Sequence, residues 1–204
     1  MQETAASMVD AIYPLHGSEL PRDHRRALAE ALERLVPWLA DPTQAGVHRI
    51  NAVAGSGSTA LLSQRARLMV RVRRERVAEL APLRGAVLDI GGFALQLGSA
   101  VTVRELLPYG TLYAHVVATA DDDELAFLDT IEAELEALHV PCRHICGRRQ
   151  LIDNDGEILT GFSLMLDGLS PADSLRLLES GLGRHRRLGC GMFVPHKSAA
   201  ALRL

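Results

Sequence analysis

Near the C-terminal end of the chain, Gly181-Leu182-Gly183-Arg184-His185-Arg186-Arg187-Leu188-Gly189-Cys190-Gly191 sets two Gly-x-Gly pairs around a short, mostly cationic insert. Glycine lets the backbone turn through φ > 0 and lets another molecule approach the main chain closely. Arg184, Arg186 and Arg187 each carry a planar fork of donors that matches a phosphate. A flexible hairpin of this kind suits a polymer with a phosphate backbone, with Gly183, His185 and Gly189 shaping the contact. The second chemistry on offer is proton transfer, which histidine performs near neutral pH. Of eight histidines, His24 stands out. It falls in the first turn of an expected helix, where the positive end of the dipole favours the neutral imidazole that a general base requires. His16, in the loop just before that helix, is its nearest rival or partner. His48, on or beside a strand, could reach the same cleft. His185 suits contact better than catalysis, because a flexible loop holds groups imprecisely.

These residues need elements to position them. Met8 to Leu15 alternates and is β-branched, which predicts a first strand. Leu20-Pro21-Arg22-Asp23-His24 opens a helix whose apolar positions, from Ala27 to Val36, recur at helical spacing. Val47 to Val53 predicts a strand, and Gly55-Ser56-Gly57-Ser58 a hairpin-like turn. Arg67 to Arg73 alternates arginine with apolar residues, so Arg67, Arg71 and Arg73 are expected on a solvent face. A short helix over Glu75 to Pro82 and a strand pair over Val87 to Leu97 complete a β-α-β-β-α-β order. The order then repeats. Thr111 to Thr119 predicts a strand, and Asp121 to His139 a helix with Leu125, Leu128, Ile131, Leu135 and Leu138 inward. Arg143 to Ile152 and Gly161 to Leu166 predict a hairpin around Asn154-Asp155-Gly156. Ser170 caps a helix begun by Pro171, and Met192 to Val194 predicts a last strand. The fold class is therefore α+β: two tandem ferredoxin-like units, 1–107 and 108–204, with the glycine-rich loop 181–191 in the second.

Composition narrows the partners. The 204 residues are enough for one large domain or two small ones, and 48% hydrophobic with 23% charged residues is ordinary for a folded chain. No apolar run approaches a membrane span, and no signal-peptide pattern opens the chain, so a cytoplasmic protein without a membrane partner is expected. Cys142, Cys146 and Cys190 read as buried thiols; without a second ligand pair at zinc-like spacing, no metal and no cofactor are expected. A net charge of −3 excludes a globally basic binder, but arginine clusters at 22–26, 65–76, 143–149 and 184–187 make local patches, which set the field that a polyanion feels. The glycines run from helix to strand, and there is neither a strand-Gly-x-Gly-x-x-Gly-helix unit nor a Gly-Lys-Ser/Thr loop, which argues against a small-molecule phosphate enzyme.

The tandem units with a glycine loop before the last strand resemble the RAMP superfamily of CRISPR-associated proteins. The loop itself is similar to the C-terminal signature of its repeat-RNA processing endoribonucleases. Leu20 to His24, Cys146-Gly147-Arg148-Arg149, Gly161 to Leu164, Gly168 to Leu175 and Phe193 to Ser198 resemble the myxobacterial-type branch. The resemblance implies cleavage of CRISPR precursor RNA within each repeat, without a metal, leaving a 5′-hydroxyl and a 2′,3′-cyclic phosphate. It places the catalytic histidine in the region of the first strand and first helix, which fits His24, with His16 close by. CRISPR repeat RNA would be the partner, with room for membership of a multi-subunit interference complex. The alternative is a non-catalytic RAMP-type RNA-binding subunit of such a complex.

In that chemistry the 2′-OH attacks phosphorus. It needs a base, an acid for the leaving 5′-oxygen, and cations for the charge on the phosphorane. After the three loop arginines, Arg148, Arg149 and Lys197 are the next phosphate contacts. Aromatics are only 4% of residues, so recognition of shape through cations is expected over bases stacked on a sheet.

Overall fold

The computed structural model describes residues 6–196. The chain folds as a mixed α+β protein with two sheet-and-helix modules. One compact unit comprises the residues up to Glu105 together with Arg187–Gly189; the other comprises Leu106–Arg186 and the residues from Cys190 onward. The tip of the glycine loop thus counts with the first unit, although the sequence places it in the second.

The first unit runs β1 (Met8–His16), β2 (Glu19–Pro21), α1 (Arg25–Leu35), β3 (Ala45–Val47), β4 (Val53–Ala54), β5 (Thr59–Leu61), β6 (Arg67–Arg73), a 3₁₀ stretch (Arg74–Leu83), β7 (Val87–Ile90), β8 (Phe93–Leu97) and β9 (Thr102–Glu105). Its main sheet is antiparallel, with β3 beside β6, β6 beside β1, and β9 on the other side of β1. One face of this sheet is apolar by alternation. Val9, Ala11, Tyr13 and Leu15 of β1 and Leu68, Val70 and Val72 of β6 are buried in one core with Leu28 and Leu32 of α1. Each valine or leucine among them contributes about 1.5–3 kcal/mol when taken out of water, so the apolar stripe of α1, more than helix propensity, holds it in place.

Three sequence expectations are corrected in this unit. The stretch expected as one strand from Val47 to Val53 is two short ones, β3 and β4, with β4 joining β5 and β2 in a small separate sheet. The pair β7–β8 is peripheral, meeting β1 only at Leu15↔Leu97 and His16↔Gln96; the fourth strand of the main sheet is β9. Finally, Arg71 is buried, not solvated, at 1% exposure. Asp10 lies directly across from it in the register, and their side chains bond at 2.8 and 3.3 Å. Arg104 adds a 3.1 Å bond to the same carboxylate. A carboxylate at this depth survives only when paired. Burial pushes the Asp10 carboxyl up, but Arg71 above all, with His48 and Arg104, outweighs it and holds it below its ordinary value.

The second unit runs β10 (Thr111–Ala118), α2 (Glu124–Ala137), β11 (Arg143–Asn154), β12 (Glu157–Asp167), α3 (Pro171–Ser180) and β13 (Phe193–Pro195), with sheet order β11-β12-β10-β13, all antiparallel. Asp123 caps α2, accepting from the N–H groups of Leu125 and Ala126. Its buried line is Phe127, Ile131 and Leu135, an i, i+4 row anchored where Phe127 packs on Phe162 at 4.8 Å between ring centroids. Leu125, expected inward, is 74% exposed. Ser170 caps α3 as expected, accepting from Asp173 N–H at 3.2 Å. No helix among the described residues is long and apolar enough to cross a membrane.

Candidate functional site

The loop after α3 is folded back on itself, not an open hairpin. Gly181, Gly183, Gly189 and Gly191 have φ between 66° and 75°, which only glycine adopts cheaply. Close approaches occur at each of them, but to protein. A Cβ on Gly181 would lie 2.5 Å from the Gly191 carbonyl oxygen, and one on Gly183 would lie 2.5 Å from that of Ala118. The loop N–H groups are likewise engaged. Gly183 donates to Glu134 at 2.7 Å, Arg184 to the Ala118 carbonyl and Gly191 to the Val116 carbonyl, each at 2.8 Å.

The three loop arginines divide by environment. Arg184 is exposed. Arg186 is 7% exposed and donates to the Ser180 carbonyl at 2.6 Å. Arg187 makes a bidentate pair with Glu33 of α1 at 2.7 and 2.8 Å, which raises its pKa further. His185 is half-buried in a left-handed turn, φ 64°. Of the cations expected to project from a flexible hairpin, only Arg184 does so; burial and the Glu33 carboxylate hold the other two.

His24 is the N-cap residue of α1, one position ahead of the first turn where the sequence puts it. Its side chain does not cap the helix. Instead the ring is 4% exposed, with Nδ1 3.2 Å from the Pro21 carbonyl oxygen and Nε2 accepting the Ile50 N–H at 3.1 Å. An acceptor at Nε2 requires the proton on Nδ1, so the ring is the neutral Nδ1–H tautomer. Burial is the main reason that the His24 pKa is lowered; the cations Arg25 and Arg49 push the same way. Folding therefore holds this imidazole neutral where the unfolded chain, with an ordinary histidine pKa of about 6.5, starts to bind a proton. Stability from this group is complete above about pH 6.5 and is lost as pH falls through the lowered native value. Urea titrations are expected to show that loss at up to about 1.4 kcal/mol per pH unit, and His24→Gln, which cannot titrate, is expected to flatten it.

His16 ends β1 and is exposed, paired through its backbone with Gln96. His48 is 7% exposed, with Nε2 3.9 Å from Asp10. Arg148 and Arg149 are exposed at a bulge of β11 against β12, where Ser163 Oγ accepts the Arg148 N–H at 2.9 Å. Lys197 lies outside the described residues. Cys190 is buried, whereas Cys142 and Cys146 are only half-buried; burial pushes the Cys142 thiol up to about 11. Among the described residues no three or more His, Cys, Asp or Glu side chains are grouped to hold a metal ion. Sequence reasoning missed Arg25 and Glu33, which touch the loop tip. Their signal, two polar residues two turns apart on α1, is too common to single out.

A family model described as Cas6 Crispr matches residues 9–198. A CRISPR-associated endonuclease Cas6 from Myxococcus xanthus (strain DK1622) is 37% identical over 193 residues, spanning 94% of this chain and 83% of its own length. The chain belongs to the Cas6 family. A solved structure of a CRISPR associated protein Cas6 superposes with a TM-score of 0.68 at 10% identity, over 93% of this chain and all of the other. The product of a Cas6-related gene from Pyrococcus furiosus gives 0.60 at 12%, over 94% and 99%. At these identities the two structures establish the Cas6-type fold alone. They also fit the two modules seen here, in which each sheet sets its first strand between its third and fourth.

Proposed function

We propose that this Cas6 chain is an endoribonuclease that cleaves CRISPR precursor RNA within its repeats. The reaction is attack of a 2′-OH on the adjacent phosphorus, without a metal, giving 5′-hydroxyl and 2′,3′-cyclic phosphate ends. The observation that carries this reading is the Myxococcus relative, an endonuclease by name, aligned along 94% of the chain. His24 is assigned as general base, because burial keeps its imidazole in the neutral form at pH values where a solvated histidine is already charged. To act, it gives up the Ile50 N–H as RNA binds. His16, accessible at the end of β1, is assigned as the acid. Arg184, Arg148 and Arg149, which face solvent, take phosphates with Lys197. Gly183, His185, Arg186, Arg187 and Gly189 shape the loop that carries Arg184.

The two modules are read as tandem ferredoxin-like units joined near residues 107 and 108. Support for this comes from the strand order, second-third-first-fourth, in each main sheet. Assembly with other interference-complex subunits and a cytoplasmic setting belong to the same reading. Purified protein is expected to cut its cognate repeat in EDTA and to stop when the scissile nucleotide is 2′-deoxy. Normal cutting of the deoxy substrate would sink the 2′-OH mechanism. Salt-sensitive binding with no product at long incubation would instead leave a non-catalytic RNA-binding subunit.

A further inference from the structure

The tip of the glycine loop, Arg187–Gly189, is held in the first unit through three separate contacts, and Leu188 within it is buried. Arg187 pairs with Glu33. The Leu188 side chain is 2% exposed. Gly189 sits so close to the backbone of the first unit that a Cβ would lie 3.0 Å from the Val47 carbonyl oxygen and 3.1 Å from Arg49 N. The third contact comes from Arg25, the first residue of α1, whose Nη1 donates to the Leu188 carbonyl at 2.9 Å. Arg25 is 9% exposed. A guanidinium this deep is costly to bury without a fixed role, and its place in the chain is next to His24.

We propose that Arg25 is a positioning residue for RNA cleavage: by holding the Leu188 carbonyl it fixes the loop tip against the turn that carries His24. The inference rests on the endoribonuclease reading above and on His24 as its base. An arginine suits the task because its flat, always-charged fork grips a carbonyl without titrating. Displacing such a support by about 1 Å costs on the order of 10²-fold in rate while leaving affinity largely intact.

Arg25→Met is expected to lower the single-turnover rate on repeat RNA by about 10–100-fold, with the half-saturating protein concentration nearly unchanged. Hydrogen exchange at residues 187–190 is expected to quicken. The acid limb of the pH–rate profile should also move up, since a cation beside His24 is gone. Arg25→Lys, which keeps the charge and a donor, should recover most of the rate and return the acid limb. Gly189→Ala, whose Cβ would come 3.1 Å from Arg25 Nη1, provides a second displacement of the tip that keeps the Arg25 charge, and should also lower the rate. Wild-type rate in either Arg25→Met or Gly189→Ala overturns the proposal. So does a rate loss in Arg25→Met that only tracks the unfolded fraction and is not relieved by lysine. If the unaltered protein cuts no repeat RNA, the parent reading fails, and unchanged exchange at 187–190 in Arg25→Met would then sink the latch as well.

Discussion

His24→Ala is expected to reduce single-turnover cleavage of repeat RNA by about 10²–10⁴-fold, the usual range for removing a general base, while the protein still binds the RNA. The substitution also strands the Ile50 N–H, a buried donor whose loss of partner costs about 1–3 kcal/mol, so the alanine variant is less stable as well as less active. His24→Gln separates the two effects. A glutamine oxygen can accept the Ile50 N–H, but an amide cannot take a proton from a 2′-OH. Glutamine is therefore expected to recover stability and not rate. The pH dependence gives an independent check. The base works only when neutral, and burial lowers the His24 pKa, so the acid limb of the wild-type profile should lie below the ordinary histidine value of about 6.5. A glutamine variant that cuts at the wild-type rate would reduce His24 to a clamp between Pro21 and Ile50.

The clamp and the base draw on the same two bonds, which explains why the sequence pointed to His24 without showing its surroundings. Its place ahead of an amphipathic helix is local information. The Ile50 N–H that fills Nε2 comes from 26 residues away, and no spacing rule reports that. The same division runs through the fold. Elements governed by local signals were legible, among them the Ser170 cap of α3 and the turn at Asp155 and Gly156, where φ is 60° and 82°. The fourth strand of the first sheet was not. Every residue of β9 is exposed, so no alternation marks it, whereas the strongly alternating Val87 to Leu97 stretch forms a peripheral hairpin. Arg71 misled for a related reason: alternation gives the face of a residue, but not the Asp10 that stands opposite it. In the glycine loop, the need for φ > 0 could be read from residue type. What approaches those glycines could not, since the carbonyls of Ala118 and Val47 are brought there by tertiary packing.

That packing makes Gly191→Ala the most damaging single methyl in the loop. Gly191 has φ 67°, where an L side chain costs about 1 kcal/mol or more in backbone strain. Its Cβ would fall 2.0 Å from the Leu182 carbonyl oxygen, a backbone atom that cannot rotate away. Relief requires the Gly181–Gly183 turn to separate from the Cys190–Gly191 turn, breaking the 2.8 Å bond from Gly191 N–H to Val116. The combined cost is expected to exceed about 3 kcal/mol, measured as a lower urea midpoint with an unchanged slope. Gly156→Ala supplies the contrast. It also has positive φ, 82°, but nothing lies within 4 Å of its Cβ, so it should lose only the strain, about 1 kcal/mol. Equal losses at the two positions would mean that backbone conformation alone, and not the close packing of carbonyls, demands glycine here. A larger loss at Gly191 would identify the paired glycines as the closure of the loop on itself.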